Sequence, residues 1–465
     1  MGIAGTAMAS LAGLLKAAGH TVTGSDENVY PPMSHELEAL GIPYQSGFGS
    51  ANLEPRPDIV IVGNAISRGN AELEAVLNQK IRYTSAAAVI KEEFIRGRHS
   101  LAVAGTHGKT STSSLLAWVL ETTGLNPAFL IGGVAENFGR SFRLTDSKYF
   151  VIEADEYDTA YFDKGPKMWH YLPDTAIVAN IEFDHADIYR DAIAYNFAFS
   201  RFVNLIPGNG TLVAGWDSPI VRELATKSLA PVESFGYSGG NDSAPDGDHP
   251  RWRAEDVRFG PSGTTFTVLH DGLEWGAVET PLAGAFSVRN VLSVIAAAES
   301  IGADPDRVRE GLRTYKSVKR RMEVRGEARG VTVIDDFAHH PTAIRETISA
   351  VRQKYTGRPL VAVYEPRSYT AQLKEFENAY EMAFAEADEV ILAGLFHPER
   401  YDGNALDPAI LVRRWNQAGK KASYIPSVPD IIRTLSDTLR PGDVVLVMSN
   451  GGFGGLHEKL LEALK

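Results

Sequence analysis

Ala102-Val103-Ala104-Gly105-Thr106-His107-Gly108-Lys109-Thr110-Ser111 is the stretch on which the reading of the fold turns. The apolar residues 101–104 read as a strand, and residues 111–121 read as a helix that ends near Gly124. A glycine-rich turn between the two leaves backbone N–H groups converging at the positive end of the helix dipole, where phosphate binds. Lys109 adds charge for terminal phosphates, and the Thr110 hydroxyl can hold Mg²⁺. The stretch departs from the standard phosphate-loop pattern, which asks for glycine where Val103 stands. What remains, Gly-x-x-Gly-Lys-Thr-Ser between a strand and a helix, reads as a nucleotide triphosphate site rather than a plain tight turn.

Composition narrows what that site serves. A chain of 465 residues predicts about three domains, and 44% hydrophobic with 22% charged residues is ordinary globular protein. A net charge of −12 without a long basic run argues against nucleic acid or an anionic membrane as partner. The count of 0 cysteines excludes disulfides, thiolate metal sites and a cysteine nucleophile. Any metal is then held by oxygen and nitrogen, which suits Mg²⁺. With neither a signal-peptide pattern nor an 18-residue apolar run, the expectation is a cytoplasmic enzyme without membrane insertion.

The predicted fold class is α/β in three domains. Residues 1–98 read as a Rossmann-like domain: a Gly2/Gly5 turn, a helix over 7–18, a strand over 20–24 ending at Ser25-Asp26, and a strand over 58–62 before Gly63-Asn64-Ala65. Only Met1 precedes the first turn, where a strand is expected. Residues 99–321 read as a central P-loop ATPase-type domain with a mixed sheet. It has buried strands at 148–154 and 175–181, a loop at 237–250, antiparallel strands at 252–258, 264–269 and 273–279, and a helix over 288–301. Residues 322–465 read as a second Rossmann-like domain, with strands at 331–335, 360–364, 389–393, 423–425 and 444–448.

Polar tips on these strands carry the chemistry. Glu153-Ala154-Asp155-Glu156-Tyr157-Asp158 ends one strand, within reach of a cation on the neighbouring P-loop, and Glu153 is the expected ligand. Asn180-Ile181-Glu182-Phe183-Asp184-His185 ends the next, and His185 can hold a second metal ion or orient a carboxylate. Taken singly, the acidic run also reads as a solvated loop, and His185 as an ordinary hydrogen-bonded histidine. Asn290, placed at the opening of the long helix, is a candidate for an adenine edge or a simple helix-terminal residue. Arg320-Arg321 lies at the domain junction, where a guanidinium can swing onto a terminal phosphate. Asp335-Asp336-Phe337-Ala338-His339-His340-Pro341-Thr342, Tyr364-Glu365-Pro366-Arg367-Ser368 and Ser449-Asn450-Gly451-Gly452-Phe453-Gly454-Gly455 end strands of the last domain.

Together these stretches resemble the Mur ligase family, the ATP-dependent amide ligases of bacterial cell-wall assembly, whose variant P-loop also accommodates Val103. Gly24-Ser25-Asp26-Glu27-Asn28-Val29-Tyr30-Pro31-Pro32-Met33, Gly63-Asn64-Ala65 with Arg68-Gly69-Asn70, Glu156-Tyr157-Asp158 with Phe162-Asp163-Lys164 and the 448–455 tail resemble its peptide-recycling branch. The resemblance implies ATP and Mg²⁺, with UDP-N-acetylmuramate and the tripeptide L-alanyl-γ-D-glutamyl-meso-diaminopimelate as the molecules joined. It implies catalytic roles for Lys109, His185 and Arg321, and nucleotide contacts from Gly105, Thr106, His107, Gly108, Lys109, Thr110, Ser111, Asn290, Arg321 and Asp336. It implies metal ligation by Thr110, Glu153 and His185, and substrate contacts from Gly5, Ser25, Asp26, Asn64, Asn180, His340, Arg367, Ser449 and Asn450. Phe286 and Ser287 stand where the family often has His-Asn. Three alternatives stay open: the sister ligase that uses L-alanine, a non-catalytic ATP and UDP-sugar sensor, and an oxidoreductase using Gly2, Gly5 and Asp26 for a dinucleotide. Folylpolyglutamate synthase shares the ATP-domain logic but does not account for the N-terminal domain.

Overall fold

The strand His99–Ala104 lies inside a ten-stranded sheet in a computed structural model that describes residues 1–29, 33–237, 239, 249–401 and 403–465. Its neighbours are Thr175–Val178 on one side and Tyr149–Glu153 on the other, both parallel to it. Leu101 to Ala104 are fully buried, so this strand needs cover on both faces. One face is covered by Lys109–Thr122, Ala285–Ser300 and Pro305–Arg313, which pack on each other through Leu116, Val119, Val291 and Leu312. Phe94, Phe150, Tyr195 and Phe199 belong to the core on the other face. Beyond Thr175–Val178 the sheet continues through Thr211–Gly215 and Val232–Gly236 into the antiparallel meander Trp252–Gly260, Gly263–His270 and Leu273–Thr280. Most of the expected 237–250 loop, like Tyr30-Pro31-Pro32, lies outside the described residues.

Residues 323–448 form a six-stranded sheet in the order 323–328, 331–336, 444–448, 360–364, 389–392, 421–424. All its pairs are parallel except the first, where Glu323–Ala328 runs antiparallel along Val331–Asp336. That edge strand is too polar, Glu-Val-Arg-Gly-Glu-Ala, to stand out in the sequence. In the first hundred residues the sheet is two parallel pairs, Gly24–Asp26 with Tyr44–Ser46 and Val60–Val62 with Tyr83–Ser85. Met1 to Ile3 run between them. The Met1 ammonium donates to the Ile61 carbonyl at 2.9 Å, and Gly2 N–H donates to the Ser25 carbonyl at 2.8 Å.

Two expectations shift. The strand placed over 20–24 is instead Gly24–Asp26, because only those residues find a partner in Tyr44–Ser46. Asn290 does not open its helix: Ala285–Ser300 begins five residues earlier, capped at Gly284, and Asn290 faces the P-loop from the second turn.

Below the C-terminal sheet, Asp335 is buried beside His457 Nε2 at 3.2 Å and Arg320 Nε at 3.4 Å. Burial works against its charge, but His457 and the two arginines Arg320 and Arg325 outweigh it and hold its pKa below the ordinary aspartate value. The stabilisation is therefore present above about pH 4, the unfolded value, and is lost as pH falls through the folded one. Asp335→Asn is expected to cost about 3 kcal/mol at pH 7, as for one member removed from a buried charge cluster. Urea denaturation should find that gap narrowing below about pH 4.

Candidate active site

Sheet order brings three strand ends side by side: the P-loop after Ala104, Glu153 to Glu156 after the strand Tyr149–Glu153, and Asn180 to His185 after the strand Thr175–Val178. The P-loop is held by its neighbour. Asn180 Oδ1 accepts from His107 N–H at 2.8 Å, its Nδ2 donates to the His107 carbonyl at 3.1 Å, and its own carbonyl accepts from Thr106 N–H at 3.0 Å. Asn180 thus acts on the loop backbone. Gly108 sits at φ 83°, capping the helix Lys109–Thr122, a conformation that suits glycine. A Cβ there would stand 3.2 Å from Asn290 Oδ1.

Lys109 does not point into open space. Its Nζ donates to the Gly105 carbonyl at 2.8 Å and lies 2.7 Å from a Glu156 oxygen. Glu156 is fully buried, and it also receives His185 Nε2 at 3.1 Å and the Tyr195 hydroxyl at 3.3 Å. Burial pulls the Lys109 pKa down, yet Glu156 and Asp155 outweigh it and leave the ammonium above its ordinary value. The same balance raises His185, burial opposing and Glu156 with Asp184 prevailing. Glu153 is different: burial dominates and raises its pKa, although Lys109, Gly132 N–H (2.7 Å) and the Thr110 hydroxyl (3.0 Å) all favour the carboxylate. A Cβ at Gly132 would lie 2.8 Å from Glu153 Oε2, so a side chain there would displace the carboxylate from this position. Asp155 pairs with Lys167 at 2.8 Å and is held at about 2; its burial is overcome by Lys167 and Lys109.

A cavity of about 1090 Å³ opens along the seam between the central and C-terminal sheets. His107, Gly108, Ser111, Asn180 and Asn290 line one wall with Phe286 and Ser287; Asp336, Thr342 and Glu346 line the other. Lys109, Thr110, Glu153 and His185 are not among its lining residues and sit behind the loop. Arg321 needs no swing. It lines the cavity, its guanidinium donates to Thr110 Oγ1 at 3.4 Å, and it stacks 4.7 Å over Phe337. Burial lowers its pKa, against Asp336 and Glu153. Arg320 turns the other way and donates to the Ser449 and Gly451 carbonyls, both at 2.7 Å. Asp336 accepts Met322 N–H at 2.7 Å and Ala338 N–H at 2.8 Å, so its carboxylate braces the junction; burial raises its pKa.

The remaining expected residues fall into two groups. In the N-terminal domain, Gly5 caps the helix Thr6–Ala17. Ser25 donates to Glu72 at 2.6 Å and is buried, while Asp26 accepts Ala4 N–H at 2.9 Å and Asn28 N–H at 3.3 Å. Asn64 follows the strand Val60–Val62 in a half-buried turn. In the C-terminal domain, Arg367 stacks over Phe396 at 3.9 Å and fills the space beside Gly451, where a Cβ would collide with its Nε at 2.3 Å. Ser449 donates to Glu365 at 2.6 Å, and Asn450 Oδ1 is buried without a hydrogen-bond partner among the described residues. His340 caps the helix Pro341–Lys354 and stacks on His107 with ring centroids 4.7 Å apart. Burial, with His107, drives its pKa down to about 4.

Sequence reasoning misses the roles of Glu182, Tyr195 and Glu365, and it marks Glu156 only as part of the Glu156-Tyr157-Asp158 motif. Glu156 lay in the acidic run already noted, but its pairing with Lys109 depends on strand order.

This geometry defines a class first: a P-loop domain with a cavity along its seam with a second doubly wound domain. Residues 1–97 match the "Mur ligase family, catalytic domain", residues 103–298 the "Mur ligase middle domain", and residues 320–451 the "Mur ligase, glutamate ligase domain". The chain belongs to the Mur ligase family. It is 42% identical to the UDP-N-acetylmuramate–L-alanyl-γ-D-glutamyl-meso-2,6-diaminoheptandioate ligase of Escherichia coli K12, over 100% of this chain and 97% of that protein. Its structure is similar to that of a murein peptide ligase from Psychrobacter arcticus 273-4, with TM-score 0.73, 36% identity and coverage of 100% and 97%. It is 31% identical to the UDP-N-acetylmuramate–L-alanine ligase of Acetivibrio thermocellus, over 99% of this chain and 95% of that protein. Among the described residues no helix is long and apolar enough to cross a membrane.

Removing Lys109 would strand Glu156 as a buried charge. Lys109→Met is therefore expected to destabilise the fold by about 3 kcal/mol or more, beyond any loss of turnover. Adding Glu156→Gln should recover most of that loss, a coupling read from a double-mutant denaturation cycle.

Proposed function

We propose that this chain is an ATP-dependent amide ligase joining the muramyl carboxylate of UDP-N-acetylmuramate to the amine of L-alanyl-γ-D-glutamyl-meso-diaminopimelate. The observation that carries the reaction class is the adjacency of three strand ends, P-loop, acidic tip and Asn180–His185 tip, with His107, Gly108 and Asn180 to Glu182 lining the seam cavity in front of them. The choice of tripeptide over L-alanine rests on 42% identity to the tripeptide ligase against 31% to the alanine ligase.

Direct condensation in water has a poor leaving group. The muramyl carboxylate attacks the γ-phosphorus of ATP, forming an acyl phosphate and releasing ADP. The tripeptide amine then attacks that carbonyl, and phosphate leaves through a tetrahedral intermediate. Both steps gather anions, so positioning and charge neutralisation carry the catalysis. Lys109 and the loop N–H groups would hold the β- and γ-phosphates. Arg321 would neutralise charge from the domain junction, already beside Thr110. Asn290 would meet the adenine, the role assigned to it on family resemblance. The buried Thr110 hydroxyl and the half-buried Glu153 carboxylate, 3.0 Å apart, are an oxygen donor set that suits Mg²⁺. His185 would help hold a second ion. Bound Mg²⁺ would supply charge neutralisation at the transferring phosphoryl group. Gly5, Asp26 and Asn64 would surround the UDP-sugar, with Ser25 acting through Glu72. Arg367, Ser449 and Asn450 would meet the peptide.

Phosphate release from ATP and Mg²⁺ with UDP-N-acetylmuramate is expected with the tripeptide and not with L-alanine, yielding UDP-muramyl-tripeptide by mass. Release with L-alanine alone would assign the chain to the sister activity. No release with either donor would contradict the ligase reading.

A further inference from the structure

His107 on the P-loop, Glu182 on the next strand tip and His340 at the head of Pro341–Lys354 meet across the domain seam. Their ligand atoms all lie within 4.8 Å of one another. His107 Nε2 is 3.1 Å and His340 Nδ1 is 3.6 Å from Glu182 Oε2. Ligands at tetrahedral Zn²⁺, bound at about 2.0–2.1 Å, sit roughly 3.3 Å apart. The two separations to Glu182 are close to that distance, and the two imidazole nitrogens lie within 4.8 Å of each other. Thr342 N–H donates to His340 Nδ1 at a long 3.3 Å, so this nitrogen presents a lone pair and its existing partner is weak. His107 and Glu182 both line the seam cavity, which leaves an open side to the cluster.

We propose that His107, Glu182 and His340 form a three-ligand site for a divalent transition ion of the Zn²⁺ class, with its fourth position open to the cavity. Two imidazoles and a carboxylate select such an ion over Mg²⁺, which prefers oxygen throughout. The site is distinct from Thr110 and Glu153 in donors and in place, and it does not depend on the ligase reading. Two ligands belong to the central domain and one to the C-terminal domain. An ion here ties the domains together at the mouth of the nucleotide cavity.

The test is Co²⁺ titration of the full chain in excess Mg²⁺, read by visible absorption, where four-coordinate Co²⁺ gives intense bands. Wild type is expected to bind one equivalent with a four-coordinate spectrum. Glu182→Gln and His340→Asn should each weaken binding by more than about tenfold, while His339→Asn should not. Asparagine at 340 is a good helix cap, so that variant removes the imidazole and keeps the helix start. Six-coordinate, weakly absorbing Co²⁺, or unchanged affinity in both Glu182→Gln and His340→Asn, would overturn the proposal.

Discussion

The structure depends on the buried pair of Lys109 and Glu156. A carboxylate with no exposed surface is tolerable only with a cation and hydrogen-bond donors against it, and Lys109, His185 and Tyr195 supply them. The pair joins the P-loop to the acidic strand tip, and His185 joins the third tip to both. It also keeps the phosphate-loop lysine charged in a buried place, the property a triphosphate site requires.

From that knot the architecture follows outward. Parallel strands place their polar ends on one edge of the sheet, and the apolar remainder demands helices on both faces. The C-terminal sheet then closes the open side. Arg289 pairs with Glu346, Ala186 N–H donates to Thr370 at 3.2 Å, and Arg321 reaches Thr110. The seam is thus built of polar contacts around a cavity. Inter-domain surfaces of this polar kind permit relative motion.

What the sequence disclosed was local. The P-loop, the Glu153 tip, the Asn180 tip and the alternating strands and helices of both outer regions were legible because each is a short motif beside an apolar run. Glu156 was not separable from its acidic neighbours, since Lys109 is 47 residues away and meets it only because the 149–153 strand lies next to 99–104. The sequence offers Asn180 as a substrate contact, and no spacing rule encodes the two hydrogen bonds its amide makes to the His107 backbone. The sequence offers His340 as a substrate contact but not its packing against His107 and Glu182, which exists only once two domains dock. The edge strand Glu323–Ala328 escaped because an exposed edge carries little apolar pattern.

The central claim is that this seam activates a carboxylate with ATP. Isotope transfer tests it most directly: UDP-N-acetylmuramate labelled with oxygen-18 in the muramyl carboxylate is turned over with ATP, Mg²⁺ and tripeptide, and the released phosphate is weighed. The account predicts one carboxylate oxygen in each phosphate. Phosphate free of label would contradict it.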